Sequence, residues 1–266
     1  LQSSSAASDV YKRQILNHID DGEGHVIVLL HGMFGSHTNL NNIARFLSSN
    51  YRVLNCDLRN QGDSFHNDTM DLTSMANDVV RLLDKLDIKQ ASVLGHSLGG
   101  KVAMQFALMF PNRCSKLIIA DISPVAYAPR HDVVLDSLLN LSDLDIESRS
   151  QADNFLKKTI DNEVMRAFLL KNLSKVDGGK YKIKINMKAI KENYYTNLVA
   201  APSGEPYTGP TLFIKGETSA YIQEKHKTSI QGLFPNSSIE IMGKCGHWLH
   251  AENPNLFNRL VSDFLN

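Results

Sequence analysis

The chain has 266 residues, of which 42% are hydrophobic and 21% are charged, and its 28 basic residues balance its 28 acidic ones. This composition excludes a disordered chain, and the balanced charge predicts no binding to nucleic acid or to an anionic membrane. At this length we expect one α/β domain that carries an insertion.

The cysteines indicate a reducing compartment, and the apolar runs predict no membrane-spanning helix. Cys56, Cys114 and Cys245 are an odd number without a C-x-x-C pair, which favours the cytoplasm. No apolar run approaches the roughly 20 residues that a membrane-spanning helix needs. Residues 1–14, "LQSSSAASDVYKRQ", show no hydrophobic periodicity. We expect them to be a non-native leader outside the fold.

The first half of the chain alternates between predicted strands and predicted helices. "ILNHI" (15–19) predicts an edge strand, and later β-branched runs are typical of strands buried on both faces. These runs cover residues 25–30, 51–57, 91–96 and 116–121. Helical spacing predicts helices over 73–87 and 98–109. The alternation predicts a parallel sheet with right-handed crossovers.

The alternation stops over residues 122–207 and then resumes. This segment has helical patterns but few buried-strand runs, so we interpret it as a helical cap inserted into the core. Afterwards come predicted elements at 211–216 (strand), within 221–232 (helix), at 237–242 (strand) and from Asn253 (helix). The α/β core is therefore predicted to comprise 15–121 and 208–266.

The sequence "GHSLG" at residues 95–99 predicts a nucleophile. It lies between a predicted strand and a predicted helix, where glycines give Ser97 a tight turn and the helix N-terminus offers unpaired N–H groups to an oxyanion. A glycine-rich turn with an incidental serine is the alternative, and the strand-to-helix context disfavours it. His96 is expected to pack at the site, where we count it among the substrate-binding candidates.

Two further loops at strand ends complete a candidate serine hydrolase site. In "LLHGMFGS" the backbone N–H of Met33 is predicted to join that of Leu98 in an oxyanion hole, with Phe34 as the alternative donor. In "MGKCGHWLHAENP", His247 lies between the last strand and the last helix, where an imidazole can serve as general base. His247 and His250 form an H-x-x-H pair, but without a third ligand nearby we predict no metal.

Together, "HGMFGS", "DLRNQGDS", "GHSLGGKVAM" and "LIIADISPVAY" resemble the α/β-hydrolase family, and within it the small bacterial YbfF-type esterases. The resemblance covers nearly the whole chain from residue 15. It implies a mostly parallel central sheet flanked by helices under a helical cap, and carboxylester hydrolysis through an acyl-enzyme without any cofactor. Acyl-CoA thioesters are a second substrate class. The expected partner is a small-molecule ester or thioester, and the expected state a monomer or homodimer.

This sequence has no carboxylate at the position where the family usually has the acid of the catalytic triad. Most family members have an aspartate in a G-x-x-D pattern after the strand written here as "TLFIKG", and this chain has Ser219 there. Glu217 and Asp121 remain as carboxylates at the same edge of the sheet. Neighbouring strands are only about 4.8 Å apart, a gap that a side chain can cover. The YbfF-type resemblance implies Asp121, and Glu217 is kept as the alternative acid.

The substrate pocket is predicted from aromatic residues near these motifs. Phe34, Tyr127, Tyr195 and Trp248 are the candidate walls. Lysines in "YKIKINMKAIKENYY" could meet a coenzyme A leaving group, but a solvated face is the favoured interpretation. The same scaffold also hosts C–C bond hydrolases and acyltransferases. A non-catalytic ligand-binding protein is a further alternative, supported only by the unusual position of the acid.

Overall fold

A seven-stranded sheet forms the centre of the protein. The computed structural model describes residues 14–266, so the predicted leader lies, apart from its last residue, outside the described residues. Within these residues, the strands in chain order are β1 (His18–Asp21), β2 (Val26–Leu30), β3 (Arg52–Cys56), β4 (Ala91–His96), β5 (Cys114–Ala120), β6 (Leu173–Lys175), β7 (Tyr181–Ile183), β8 (Thr211–Gly216) and β9 (Ser237–Met242). The central sheet has the strand order β1-β3-β2-β4-β5-β8-β9.

The sheet is parallel except at one edge. Strand β1 pairs antiparallel with β3, and every other neighbouring pair is parallel. All residues of β2 and β4 are buried, because helices cover both faces of the sheet. The carboxyl ends of β2, β4, β5, β8 and β9 therefore meet along one edge. The predicted α/β architecture with a mostly parallel sheet is confirmed.

Helices pack on both faces of this sheet. In chain order, the helices of the described residues are α1 (Asn41–Leu47), α2 (Leu72–Lys85), α3 (Leu98–Met109), α4 (Asp132–Ser142), α5 (Arg149–Leu156), α6 (Glu163–Leu169), α7 (Met187–Asn193), α8 (Lys227–Leu233), α9 (Leu249–Glu252) and α10 (Pro254–Leu265). Apolar residues of α1 and α10 pack on one face, and those of α2, α3 and α8 pack on the other. Among the helices of residues 14–266, none is long and apolar enough to cross a membrane.

The segment 122–207 contains α4 to α7 and a small antiparallel sheet of β6 and β7. Its polar contacts with the core include hydrogen bonds made by Lys101 and Asn172 near the edge where the strands end. Lys101 of α3 donates from Nζ to the carbonyl oxygens of Val199, at 2.8 Å, and Ala200. Asn172 donates from Nδ2 to the carbonyl oxygen of Phe34 at 2.8 Å. The segment thereby lies over the loops that follow β2 and β4.

The structure differs from the sequence predictions mainly in short elements. Helix α1 and strands β6 and β7 were not predicted, because seven and three residues give too little periodicity to recognise. The helix predicted within 221–232 begins only at Lys227, after a loop and a short 3₁₀ turn. Strand β1 lies at the sheet edge, as predicted, but is shifted a few residues along the chain from 15–19.

Candidate active site

Ser97 lies in a sharp turn between β4 and α3. Its backbone has φ 54° and ψ −117°, a conformation that L-residues rarely adopt. The flanking glycines allow this turn, since a Cβ on Gly95 would lie 2.2 Å from the carbonyl oxygen of Gly99. A Cβ on Gly99 would lie 2.2 Å from the carbonyl oxygen of Leu30. The G-x-S-x-G pattern therefore follows from the close approach of backbone to backbone around the serine.

A continuous line of hydrogen bonds joins Ser97 to a buried carboxylate. The Nε2 atom of His247 lies 3.0 Å from Ser97 Oγ, and its Nδ1 atom lies 2.7 Å from Asp121 Oδ2. His247 is in the loop between β9 and α9, and Asp121 directly follows β5 and is fully buried. In this arrangement the carboxylate accepts the Nδ1–H of the imidazole, which leaves Nε2 free to accept the serine proton.

The carboxylate of Asp121 is held on both oxygens. Its Oδ1 accepts the backbone N–H of Gly216 at 3.0 Å, and its Oδ2 accepts the hydroxyl of Ser219 in addition to the imidazole. Ser219 stands at the position where the resemblance places an aspartate, and in this chain its hydroxyl binds the carboxylate of Asp121. Glu217 is exposed, and its Oε2 accepts the backbone N–H of Lys244 at 2.7 Å. The structure brings Asp121 to His247 and leaves Glu217 apart from it.

Two aromatic rings position the imidazole of His247. The ring of Tyr221 stacks on it with centroids 4.2 Å apart and an interplanar angle of 30°. His96 donates from Nε2 to the backbone carbonyl of His247 at 2.8 Å. Burial keeps the pKa of His96 well below its ordinary value, so this ring is neutral. His96 therefore supports the loop of the base.

The loop after β2 approaches Ser97 closely. A Cβ on Gly32 would lie 3.3 Å from the Cβ of Ser97. The backbone N–H of Phe34 donates to Gln61 Oε1 at 2.6 Å, so it is already bonded. The N–H of Met33 has no hydrogen-bond partner within residues 14–266. Leu98 is the first residue of α3, where a backbone N–H has no intrahelical acceptor.

Two cavities meet at the serine. The larger has a volume of about 270 Å³, and the smaller has about 60 Å³. Both are lined by Met33, Ser97, His131 and Tyr221. The larger cavity is mostly apolar because the cap contributes Val134, Met165 and Phe168.

The predicted wall residues separate into three groups. Phe34, His96 and Trp248 line the larger cavity, and Tyr127 lines the smaller one. Tyr195 lines neither cavity, since the residue is 45% exposed and its hydroxyl donates to Asp132 at 2.6 Å.

The H-x-x-H pair does not form part of a metal site in the described chain. No group of three potential ligands comes together within residues 14–266. His250 instead packs edge-on against His96 with centroids 4.5 Å apart. Burial, together with the nearby imidazole of His247, lowers the pKa of His250 to about 4. This side chain is therefore a neutral part of the cavity wall.

Sequence reasoning missed four residues that contact this site. The pattern around Ser219 indicates only that an acid is missing there, and "DLRNQGDS" assigns no role to Gln61. Tyr221 and His131 carry no motif of their own. The only available signal was proximity in sequence, since Tyr221 lies two residues after Ser219. Their roles depend on contacts between distant segments of the chain.

The comparisons with known proteins agree with this architecture. The family model described as "alpha/beta hydrolase fold" matches residues 25–254. The chain is 35% identical to the sn-1-specific diacylglycerol lipase ABHD11 of Mus musculus over 90% of this chain and 80% of the relative. It is 34% identical to the esterase YbfF of Escherichia coli over 90% of this chain and 92% of the relative.

A solved structure shows the same likeness in three dimensions. The structure of a marine microorganism esterase superposes with a TM-score of 0.90 at 34% identity, covering 94% of this chain and 99% of the other. The resemblance predicted from the motifs is thereby confirmed. The chain belongs to the α/β-hydrolase family, and the three relatives named above are two esterases and a lipase.

Proposed function

We propose that the protein is a serine carboxylester hydrolase that works through an acyl-enzyme. The observation that carries this proposal is the unbroken line of hydrogen bonds from Ser97 Oγ through His247 to the buried carboxylate of Asp121. A serine hydroxyl is a poor nucleophile until a base accepts its proton. In the proposed first step, His247 Nε2 takes that proton while Ser97 Oγ attacks the ester carbonyl, and Asp121 stabilises the imidazolium that forms.

The oxyanion formed by this attack is proposed to rest on the backbone N–H groups of Met33 and Leu98. The N–H of Phe34 is the weaker candidate, because Gln61 Oε1 already accepts it. Backbone donors fixed in this way stabilise the developing charge without having to reorganise. The imidazolium then protonates the leaving alcohol, and the ester oxygen departs. Water, deprotonated by the same imidazole, attacks the acyl-enzyme and releases the acid and the free serine.

The segment 122–207 is proposed to act as a cap over this reaction. Its residues Val134, Met165 and Phe168 form an apolar part of the wall of the larger cavity, which Ser97 also lines. An apolar cavity of about 270 Å³ suits a short or medium hydrocarbon chain better than a polar polymer. Closing the site with apolar side chains also excludes bulk water, which strengthens the electrostatic interactions inside.

Carboxylesters are favoured over coenzyme A thioesters. One named relative is an esterase and another a diacylglycerol lipase, and both names describe ester hydrolysis. Three lysines of the "YKIKINMKAIKENYY" stretch have acidic partners, at 2.8 Å for Lys184 with Asp63 and 2.7 Å for Lys191 with Asp136. Lys188 has a longer contact, 4.0 Å, with Glu192. These neutralised charges offer little attraction to the phosphates of coenzyme A.

The proposal is tested by comparing wild type with Ser97→Ala on p-nitrophenyl esters and acyl-CoA thioesters from acetyl to palmitoyl. We expect Ser97→Ala to lower kcat by about 10³-fold or more and to abolish labelling by a fluorophosphonate probe. Ser92→Ala is the matched control, because Ser92 is fully buried in β4 but lies away from the strand's carboxyl end. The proposal fails if the wild type hydrolyses no ester and takes no label, or if Ser97→Ala is still labelled.

A further inference from the structure

His131 stands where the two cavities of the site join. It directly precedes helix α4 of the cap and lines both the larger and the smaller cavity, as Ser97 does. Its ring meets that of Phe34 edge-on, with centroids 6.3 Å apart. The proposed mechanism gives no role to this imidazole, although it is a polar group in a mostly apolar wall.

The hydroxyl of Tyr194 determines which nitrogen of His131 carries the proton. Tyr194 Oη accepts the backbone N–H of Arg130 at 2.9 Å and that of His131 at 3.2 Å. A hydroxyl has two acceptor lone pairs and one proton, so these two bonds leave only its proton for a third. The third contact is with His131 Nδ1 at 2.8 Å. Tyr194 therefore donates to Nδ1, and Nδ1 has no proton of its own.

The remaining nitrogen of His131 is a donor without an acceptor in the described chain. Burial and the nearby charge of His247 lower the pKa of His131, so the ring is neutral near pH 7. With Nδ1 unprotonated, the proton of a neutral imidazole must be on Nε2. Within residues 14–266, Nε2 has no hydrogen-bond partner, and it is not among the buried unpaired polar atoms. It therefore remains open to the space that the ring lines.

We propose that His131 is a specificity-determining residue that donates a hydrogen bond from Nε2 to an oxygen of the substrate's leaving alcohol. This inference rests on the proposed ester hydrolase function. The leaving group must lie beside His247, because that imidazole returns the proton to the departing oxygen. His131 and His247 both line the larger cavity beside Ser97, so a leaving alcohol next to His247 lies in the space that His131 also lines.

The chemistry of this donor indicates the class of alcohol. Burying a fixed N–H in an apolar wall costs little free energy when an ether or hydroxyl oxygen of the substrate accepts its hydrogen bond. A plain hydrocarbon offers no acceptor, so the N–H stays unpaired and the ester is disfavoured. The preferred substrates are therefore esters of alcohols that carry a second oxygen near the ester, such as glycol or glycerol esters. Simple alkyl esters of the same size lack the acceptor.

The test compares two esters that differ by one atom in the alcohol. In 2-methoxyethyl butanoate an ether oxygen replaces one methylene group of n-butyl butanoate. The measured quantity is the ratio of kcat/KM for the ether ester to kcat/KM for the alkyl ester. We expect His131→Phe to lower this ratio about fivefold to tenfold, as for the loss of one hydrogen bond in a site from which water is excluded. His131→Gln, which keeps an N–H donor, is expected to recover part of it.

Val134→Ala is the matched control, because Val134 lines the same cavity from the cap and has no polar side-chain atom. It should change kcat/KM for both esters by the same factor and leave the ratio unchanged. An unchanged ratio in both His131→Phe and His131→Gln would overturn the inference. If the wild type hydrolysed neither ester and took no fluorophosphonate label, the proposed function itself would fail.

The tautomer can be measured independently of activity. Nitrogen-15 NMR of labelled histidine in the full chain distinguishes a protonated Nε2 from a protonated Nδ1, with His131→Phe used to assign the signal. We expect His131 to be in the Nε2–H form, and Tyr194→Phe to increase the Nδ1–H population, because the hydroxyl that donates to Nδ1 is removed. A wild-type His131 protonated on Nδ1 would contradict the inference.

Discussion

The carboxylate that orients the base should be transferable from position 121 to position 219. Ser219 Oγ donates to Asp121 Oδ2, the same oxygen that accepts from His247 Nδ1 at 2.7 Å. A side-chain oxygen at position 219 thus already lies one hydrogen bond from the oxygen that holds the imidazole. We expect Asp121→Asn to lower kcat by about 10³-fold to 10⁴-fold, because an amide can neither stabilise the imidazolium nor enforce the tautomer.

The double variant Asp121→Asn, Ser219→Asp is expected to regain part of this loss. A hydrogen bond to a charged group contributes about 1.5 to 3 kcal/mol, so a carboxylate that reaches His247 from position 219 should raise kcat roughly tenfold to a hundredfold above Asp121→Asn. Ser219→Asp alone should be harmful, because two carboxylates in contact raise the pKa of one of them and destabilise the site. The two substitutions are therefore expected to be strongly non-additive.

The assay is steady-state hydrolysis of p-nitrophenyl butyrate, with thermal unfolding of each variant as a check on folding. Glu217→Gln is the control, since Glu217 is exposed and bonds to the backbone of Lys244, and we expect its kcat to stay within about threefold of wild type. The assignment of Asp121 as the acid would be refuted if Asp121→Asn lost less than about tenfold while Glu217→Gln lost more. A double variant no faster than Asp121→Asn would refute the transfer of the carboxylate.

Three further predictions concern the supports of the site. Ser219→Ala should lower kcat about threefold to tenfold with little change in KM, since it removes one hydrogen bond from the carboxylate of Asp121; steady-state kinetics tests this. Gln61→Leu should lower kcat about tenfold, because the N–H of Phe34 loses its acceptor and the oxyanion loop loses a support; an unchanged kcat would contradict this role. Burial lowers the pKa of Lys101 to about 7, below its value of about 10.4 in the unfolded chain. Between these values the unfolded chain binds more protons, so this group makes the free energy of unfolding rise with pH, by up to about 1.4 kcal/mol per pH unit. We expect the free energy of unfolding, measured by urea unfolding at several pH values in this range, to rise less steeply with pH in Lys101→Met than in the wild type.

The sequence predicted most of the sheet because its strands are buried on both faces. Runs such as "HVIVLL" can be recognised without knowing their neighbours, since helices cover both sides of the strand and nearly every residue is apolar. Short elements such as α1, β6 and β7 lack that signal, because they are defined by contacts with the rest of the fold. The same reasoning predicted Ser97 and His247 as site residues, because each follows a predicted strand and lies beside glycines.

Residues that act through partners distant in sequence could not be predicted. His131 lies in "YAPRHDVV", which has no motif, and its proton is directed by Tyr194, 63 residues later in the chain. Gln61 accepts the N–H of Phe34, 27 residues earlier. Such pairs come together only when the cap and the loops have folded over the sheet. Pattern reasoning from a single sequence has no access to these distances.

The sequence limits the candidate acid to two strand ends at one edge of the sheet, but it does not choose between them. Strands β5 and β8 are adjacent and parallel, with Ala120 paired to Ile214, so residues after either strand arrive at the same edge. Because both strand ends lie at this edge, the sequence alone leaves Asp121 and Glu217 as candidate acids. The backbone decides between them: Asp121 turns at φ 52°, and its carboxylate accepts the N–H of Gly216 at the end of β8. Glu217 lies in the turn after β8, where its carboxylate accepts the backbone N–H of Lys244 instead. We therefore expect that either of two adjacent strand ends can supply the acid of a serine triad while the imidazole stays in the same place.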